Sequence, residues 1–212
     1  MLDAAEYPVA VDEIGLFPLG IVLLPTEIVP LHIFEDRYKE LIGECLELEQ
    51  EFGLVYADED GIRDTGTRAS VTEVVERFDD GRLNVLVEGG QRFTVTRMTR
   101  GRAFLTAEVE QLDDESDATD EDAIARATAS FRALAAAVEA EPAEPDETSP
   151  RLSFELASTV ELAVESKQAL LELRSEPERL ALLADLLDAA LAGLEAAREL
   201  DARAKQNGSR LT

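Results

Sequence analysis

Tryptophan is absent from the 212 residues, cysteine and histidine occur once each, and aromatics make up only 5%. With Cys45 alone there is no internal disulfide and no thiolate metal cage, a usage that suits a reducing compartment. With His32 alone there is no histidine pair to ligate a metal or relay a proton. Bases are scarce too: 20 against 46 acids, for a formal charge of −26, and only Lys39, Lys167 and Lys205 are lysines. Such a field repels nucleic-acid phosphates and anionic lipid headgroups. The densest basic group, Arg97, Arg100 and Arg102, is offset by neighbouring acids. Arginine in place of lysine fits either a high-GC genome or adaptation to salt. No run of about 18 apolar residues occurs. Ile14 to Phe34 comes nearest, and Pro18, Pro25, Glu27, Pro30 and His32 interrupt it. Met1 leads into Leu-Asp-Ala-Ala-Glu-Tyr without the positive charge of a secretory signal. The expectation is a soluble cytoplasmic protein with no membrane or nucleic-acid partner and no cofactor.

The chain does have a dense segment, Gly15 to Tyr38, with three prolines, two glycines and long apolar runs. Past a polar lead-in over residues 1–12, Ile14-Gly-Leu-Phe-Pro-Leu, Ile21-Val-Leu-Leu and Ile28-Val-Pro-Leu-His-Ile each predict a short strand. From Phe34 the period changes: Phe34, Tyr38, Leu41, Ile42, Cys45 and Leu46 fall on one helical face, with Phe34 and Tyr38 read as core. Phe52-Gly-Leu-Val-Tyr predicts a strand, and Ala57 to Gly66 a polar loop. Thr67 to Phe78 alternates, with Ala69, Val71 and Val74 or Val75 inward. Asp79-Asp-Gly-Arg is a hairpin turn. Leu83 to Glu88 is a strand, Gly89-Gly90 a second turn, and Arg92 to Met98 and Ala103 to Val109 complete an antiparallel sheet closing towards a small barrel.

After Leu112 the composition shifts. Residues 1–115 read as the β-rich lobe, 116–122 as an acidic linker, 123–206 as a helical bundle and 207–212 as a tail, an α+β architecture. Within the bundle, Ala123 to Glu139 is one helix, Leu152 to Ala163 another and Ser166 to Arg174 a short third. Ser175-Glu-Pro-Glu178 has the pattern of a capping box, opening a last helix lined by Leu180, Leu183, Leu187, Leu191 and Leu194.

No chemistry is spelled out. His32 lies in an apolar run, where a packed, hydrogen-bonded ring is the expectation rather than a general base. The acids cluster in linkers and on helix faces, so a defined metal site is not expected. Arg37 and Arg92 stand beside Tyr38 and Phe93 and have two readings: bridges to carboxylates such as Glu35 or Glu88, or members of a peptide groove. The Leu23-Leu24-Pro25-Thr26-Glu27-Ile28 segment is either core or an exposed apolar patch that binds unfolded segments. An open sheet edge is a further place for an extended peptide to add as a strand.

These motifs together resemble the N-terminal substrate-recognition domain of the Lon proteases. The resemblance rests on Leu16-Phe17-Pro18-Leu19, Leu24-Pro25, Val29-Pro30-Leu31, Phe34-Glu35-Asp36-Arg37-Tyr38 and Val87-Glu88-Gly89-Gly90-Gln91-Arg92-Phe93. Downstream, Lys167-Gln168-Ala169-Leu170-Leu171-Glu172 and Glu178-Arg179-Leu180 extend it. It implies a PUA-like antiparallel pseudobarrel with one helix, then a helix bundle, and a peptidase S16 kinship. It implies a non-catalytic module that recognises unfolded or peptide segments of clients, with a protease as a candidate partner. No Gly-x-x-x-x-Gly-Lys-[Ser/Thr] phosphate loop and no Ser–Lys peptidase module is present, so no enzymatic activity is expected. The candidate binding residues are Leu23, Leu24, Pro25, Ile28, Phe34, Arg37, Tyr38, Arg92 and Phe93. The competing readings are a protease-like hydrolase and a small-ligand or RNA-binding PUA-like protein.

Overall fold

The computed structural model describes residues 12–118 and 120–208, without the side chains of 201–208; the lead-in over 1–11 and the last four residues of the tail fall outside it. The elements are β1 (Asp12–Leu19), β2 (Ile28–Ile33), α1 (Asp36–Leu48), β3 (Phe52–Asp58), β4 (Gly61–Arg77), β5 (Leu83–Thr99), β6 (Leu105–Gln111), α2 (Glu121–Ala137), α3 (Leu152–Ala157), α4 (Val164–Glu172) and α5 (Glu176–Gly208). They divide into two compact units. One holds 12–113 together with Glu161–Glu172, and the other 114–160 with 173–208. The division is not a single cut in the acidic linker: α4, read from sequence as part of the bundle, folds with the β-rich unit.

The sheet of the first unit runs β2-β5-β4-β3-β1-β6, and β5 also pairs with β6. Strands β1, β3, β4, β5 and β6 therefore make a closed circuit, with β2 attached outside it on β5. The arrangement is α+β, as expected, but the sheet is mixed rather than wholly antiparallel. β1 and β3 run parallel, Leu16 opposite Gly53 and Leu19 opposite Tyr56, because β2 and α1 intervene as a crossover.

Three local expectations are corrected. Ile21 to Leu24 forms no strand; it is an irregular segment whose Val22, Leu23 and Leu24 are buried. The polar loop over 57–66 shrinks to a turn at Glu59-Asp60, after which β4 begins at Gly61. Gly89-Gly90 does not turn the chain but lies inside the continuous β5. There the glycine serves close approach: a Cβ on Gly89 would sit 2.1 Å from the Leu24 carbonyl oxygen. The hairpin at Asp79-Asp80-Gly81-Arg82 is as read, with Gly81 at φ +83°.

The core of the first unit joins Phe17, Leu23, Leu31, Ile33, Phe52 and Val87 to Tyr38, Leu41, Ile42 and Cys45 of α1. The Phe17 and Tyr38 rings stack with centroids 3.9 Å apart. A smaller cluster gathers Ile14, Leu16, Val55, Phe93, Ala107 and Val109. Helix α4 is tied to this unit by the Lys167–Glu27 ion pair, by Gln168 Nε2 donating to Thr65 O at 3.3 Å, and by Arg92 Nη1 donating to Leu171 O at 2.7 Å.

The second unit is helical. Asp120 caps α2 by accepting from Ala123 N–H at 3.0 Å. Helix α3 stops at Ala157, short of the predicted Ala163. Ser158 and Thr159 turn their hydroxyls back to the Glu155 and Leu156 carbonyls, at 2.9 and 2.8 Å, and compete with helix continuation. Ser175 Oγ accepts from Glu178 N–H at 3.4 Å as α5 begins. At its centre the Arg179 side chain has no solvent exposure. Its guanidinium donates to Asp114 Oδ1 at 2.7 Å, Glu176 Oε2 at 2.6 Å, Ser153 Oγ at 3.1 Å and Leu173 O at 2.8 Å, and it lies 4.5 Å from the Phe154 ring. Every donor of this buried cation faces an acceptor, the condition for burying one without a large penalty.

Candidate functional site

The apolar stretch after β1 separates into two parts. The turn Val22 to Glu27 is inward, Pro25 included, and is fixed by polar contacts. Thr26 N–H donates to Gly89 O at 2.8 Å, Gly89 N–H to Glu27 O at 2.9 Å, and Thr67 Oγ1 to Leu23 O at 2.6 Å. Glu27 is itself buried, accepting from Leu24 N–H at 3.0 Å through one oxygen and from the Lys167 ammonium through the other. Thr26 takes φ +70°, a strained value for a β-branched residue, and its buried Oγ1 has no hydrogen-bond partner among the described residues.

Strand β2 behaves differently. Leu31 and Ile33 point into the core, whereas Ile28, Pro30 and His32, and Phe34 just beyond, are exposed; Ile28 is 57% and Phe34 59% accessible. The register sets them in rows: Ile28 opposite Glu88, Pro30 opposite Leu86 and His32 opposite Asn84. On the far side of β5, Ser70, Glu73 and Glu76 of β4 continue those rows. His32 is exposed rather than packed inside, its ring 5.9 Å from Phe34 and 6.1 Å from Phe78. His32 Nδ1 lies 2.6 Å from Asn84 Oδ1, and Asn84 Nδ2 donates to Glu76 Oε2 at 3.0 Å. A carboxylate only accepts, so the amide nitrogen faces Glu76, the amide oxygen faces the ring, and the Nδ1 carries the proton.

Of the candidate binding residues, Ile28, Phe34 and Arg37 reach the surface. Leu23, Leu24, Pro25, Tyr38, Arg92 and Phe93 are buried, so none of them lines a surface groove. Phe34 leaves its expected core position because it precedes α1, whose inward face starts at Tyr38. Arg37 is the bridge of its first reading, donating from Nε to Glu35 at 2.9 Å, with its guanidinium 4.8 Å from the Tyr38 ring. Arg92 bonds the α4 carbonyl of Leu171, a partner that no sequence spacing indicates. Sequence reasoning missed Pro30 and Leu86 as surface members, although strict alternation along β2 and β5 would have found them.

Burial, helped by the neighbouring Glu44 charge, pushes the Cys45 thiol up to about 11, and the His32 ring is engaged with Asn84. Among the described residues no three His, Cys, Asp or Glu side chains are grouped to hold a metal ion, and no helix is long and apolar enough to cross a membrane.

Comparison with known proteins matches residues 13–189 to the model of the ATP-dependent protease La (LON) substrate-binding domain. Lon protease 1 of Hydrogenovibrio crunogenus is 24% identical over 97% of this chain and 27% of its own length. Lon protease of Brucella suis is 26% identical over 91% of this chain and 26% of its length. The chain thus spans about a quarter of these curated relatives. Among solved structures, the Lon N-terminal domain protein from Xanthomonas campestris superposes with a TM-score of 0.65 at 25% identity, covering 82% of this chain and 97% of that one. The N-terminal domain of Mycobacterium avium complex Lon protease shares the fold, with a TM-score of 0.64 at 22% identity over 84% and 98%. With the family model covering 13–189, the chain belongs to the Lon substrate-binding domain family.

Proposed function

We propose that the chain is a non-catalytic, cytoplasmic module that recognises polypeptide segments of client proteins, acting as an adaptor or regulator in protein quality control. The observation that carries the reading is the exposed apolar edge Ile28–Pro30–His32–Phe34, on a fold whose family is named for substrate binding. Large exposed apolar side chains in a row are what an interaction surface offers, and β2 presents them on a rigid strand. The buried Leu23-Leu24-Pro25 turn supports that strand rather than touching clients.

The test is binding of reduced, alkylated ribonuclease to immobilised protein. Replacing Ile28 and Phe34 together by serine is expected to weaken capture at least tenfold, about 1.4 kcal/mol, with the melting temperature unchanged. Leu24→Ala is the control and should lower stability first. Undiminished capture by the Ile28/Phe34 double variant would sink the reading.

A further inference from the structure

We propose that the segment held by this edge is an extended strand with basic residues set between apolar ones, paired to the open main chain of β2 and carrying a lysine or arginine stem across Ile28 to Glu88. The inference rests on the polypeptide-binding reading above and adds the chemistry of the client. Two observations carry it, the direction of the free backbone groups and the imbalance of charge on the outer face.

Glu27 O accepts from Gly89 N–H, so the antiparallel alternation turns the main chain of Val29, Leu31 and Ile33 towards β5. The amides and carbonyls of Ile28 and His32, with the carbonyl of Pro30, face away from it. Among the described residues no strand pairs with that side of β2. Pro30 has no N–H to offer, and at an edge strand its missing donor belongs on the open side. An added strand therefore finds donors and acceptors at Ile28 and His32 and an acceptor alone between them. That gap disfavours continuous pairing with a second copy of the same edge, whose Pro30 would leave the same hole.

The charges choose the occupant. The rows inboard of the apolar edge present Glu88 on β5 and Glu73 and Glu76 on β4. Glu73 and Glu88 have no ion-pair partner among the described residues. The bases nearby are already engaged: Arg37 by Glu35, Arg82 by Asp80, Lys39 by Asp36 and Arg68 by Asp12. Arg77 stands opposite the inward Leu83 and so belongs to the other face. An added strand lies about 9.6 Å from β5, two strand spacings of about 4.8 Å. The summed reach of a lysine or arginine and a glutamate, about 10 Å, bridges that distance, with the apolar stem lying over Ile28. Glu73 and Glu76 lie one strand further, about 14 Å from the added strand, where they act through the field at about one Debye length in 50 mM salt. Next to Phe34 and the His32 ring the matching client side chain is apolar.

The test uses fluorescein-labelled twelve-residue peptides of alternating valine with lysine, serine or glutamate, titrated with the full chain and read by anisotropy. The valine–lysine peptide is expected to bind at least about tenfold tighter than valine–glutamate at 50 mM salt, the gap shrinking to about threefold at 0.5 M. Glu73→Gln with Glu88→Gln should remove most of that preference. The same charge change made remotely, Glu141→Gln with Glu195→Gln, should leave most of it. A valine–lysine peptide N-methylated at alternate residues should bind several-fold more weakly, since it loses donors to the Ile28 and His32 carbonyls. Equal binding of the three peptides would overturn the proposal. So would an equal effect of the two Glu pairs, which marks diffuse attraction, or a concentration-dependent dimer that Ile28→Ser dissolves. If Ile28→Ser with Phe34→Ser abolishes valine–serine binding while charge has no effect, the polypeptide-binding reading survives and this inference alone falls. If that double variant changes no peptide, both fall.

Discussion

Two neighbouring segments, Val22–Glu27 and Ile28–Phe34, are alike in composition and opposite in role. The first is buried almost throughout and held at fixed points by Gly89, Thr67 and Lys167. The second is anchored on one face only and presents the other to solvent. Hydrophobicity does not separate them. What separates them is where the main chain finds its hydrogen bonds: the turn satisfies its groups with partners from β4, β5 and its own Glu27 carboxylate, whereas β2 satisfies one side on β5 and leaves the other open.

The contrast can be broken most strongly at Glu27. Glu27→Ala strips the half-buried Lys167 of its counter-charge and Leu24 N–H of its acceptor, and is expected to cost about 2–4 kcal/mol in chemical denaturation. A loss under 1 kcal/mol would mean the turn is held by packing alone. Next in size is a pH effect in the core that receives Leu23 and Leu31 alike and also holds Cys45. The thiol is raised from 9.0 to about 11 in the folded chain, so on raising pH the unfolded chain loses its proton first. Stability should then be fully present below pH 9 and fall by roughly 2–3 kcal/mol between pH 9 and 11. Cys45→Ala should remove that part of the decline, and an unchanged slope would refute the assignment. The smallest effect is at Thr26, where Thr26→Gly relieves the positive φ and removes the orphaned hydroxyl. A gain of about 1 kcal/mol is expected, net of the entropy cost of glycine. A loss would show that the Thr26 side chain contributes packing that outweighs its strain.

Much of this was readable from the residues. Local rules carried the hairpin at Gly81, the inward face of α1 from Tyr38 onward, the cap at Ser175, and the change from strands to helices. The misses share a cause, which is that long-range partners decided them. Gly89-Gly90 looks like a turn, but the glycine is required by the Leu24 carbonyl, which is 65 positions away in sequence. Ile21 to Leu24 has a strand's composition, yet no neighbouring strand accepts it. Arg92 sits in a motif with one acid, Glu88, and two glycines, yet finds an acceptor at Leu171. For the candidate site, Ile28 was legible as a surface residue by alternation. Phe34 was not, because its position ahead of the helix overrides the hydrophobic pattern.

One consequence of the fold concerns synthesis. Helix α4 belongs to the first unit, although 47 residues of the second (114–160) precede it. Neither unit is then a continuous length of chain, and the β-rich part cannot complete its packing until Glu27 meets Lys167 and Arg92 meets the carbonyl of Leu171. A nascent chain halted at residue 113 carries all six strands but an unpaired buried carboxylate at Glu27. Only after about residue 172 leaves the ribosome does that carboxylate gain its cation, so the two units must mature as an interleaved pair rather than one after the other.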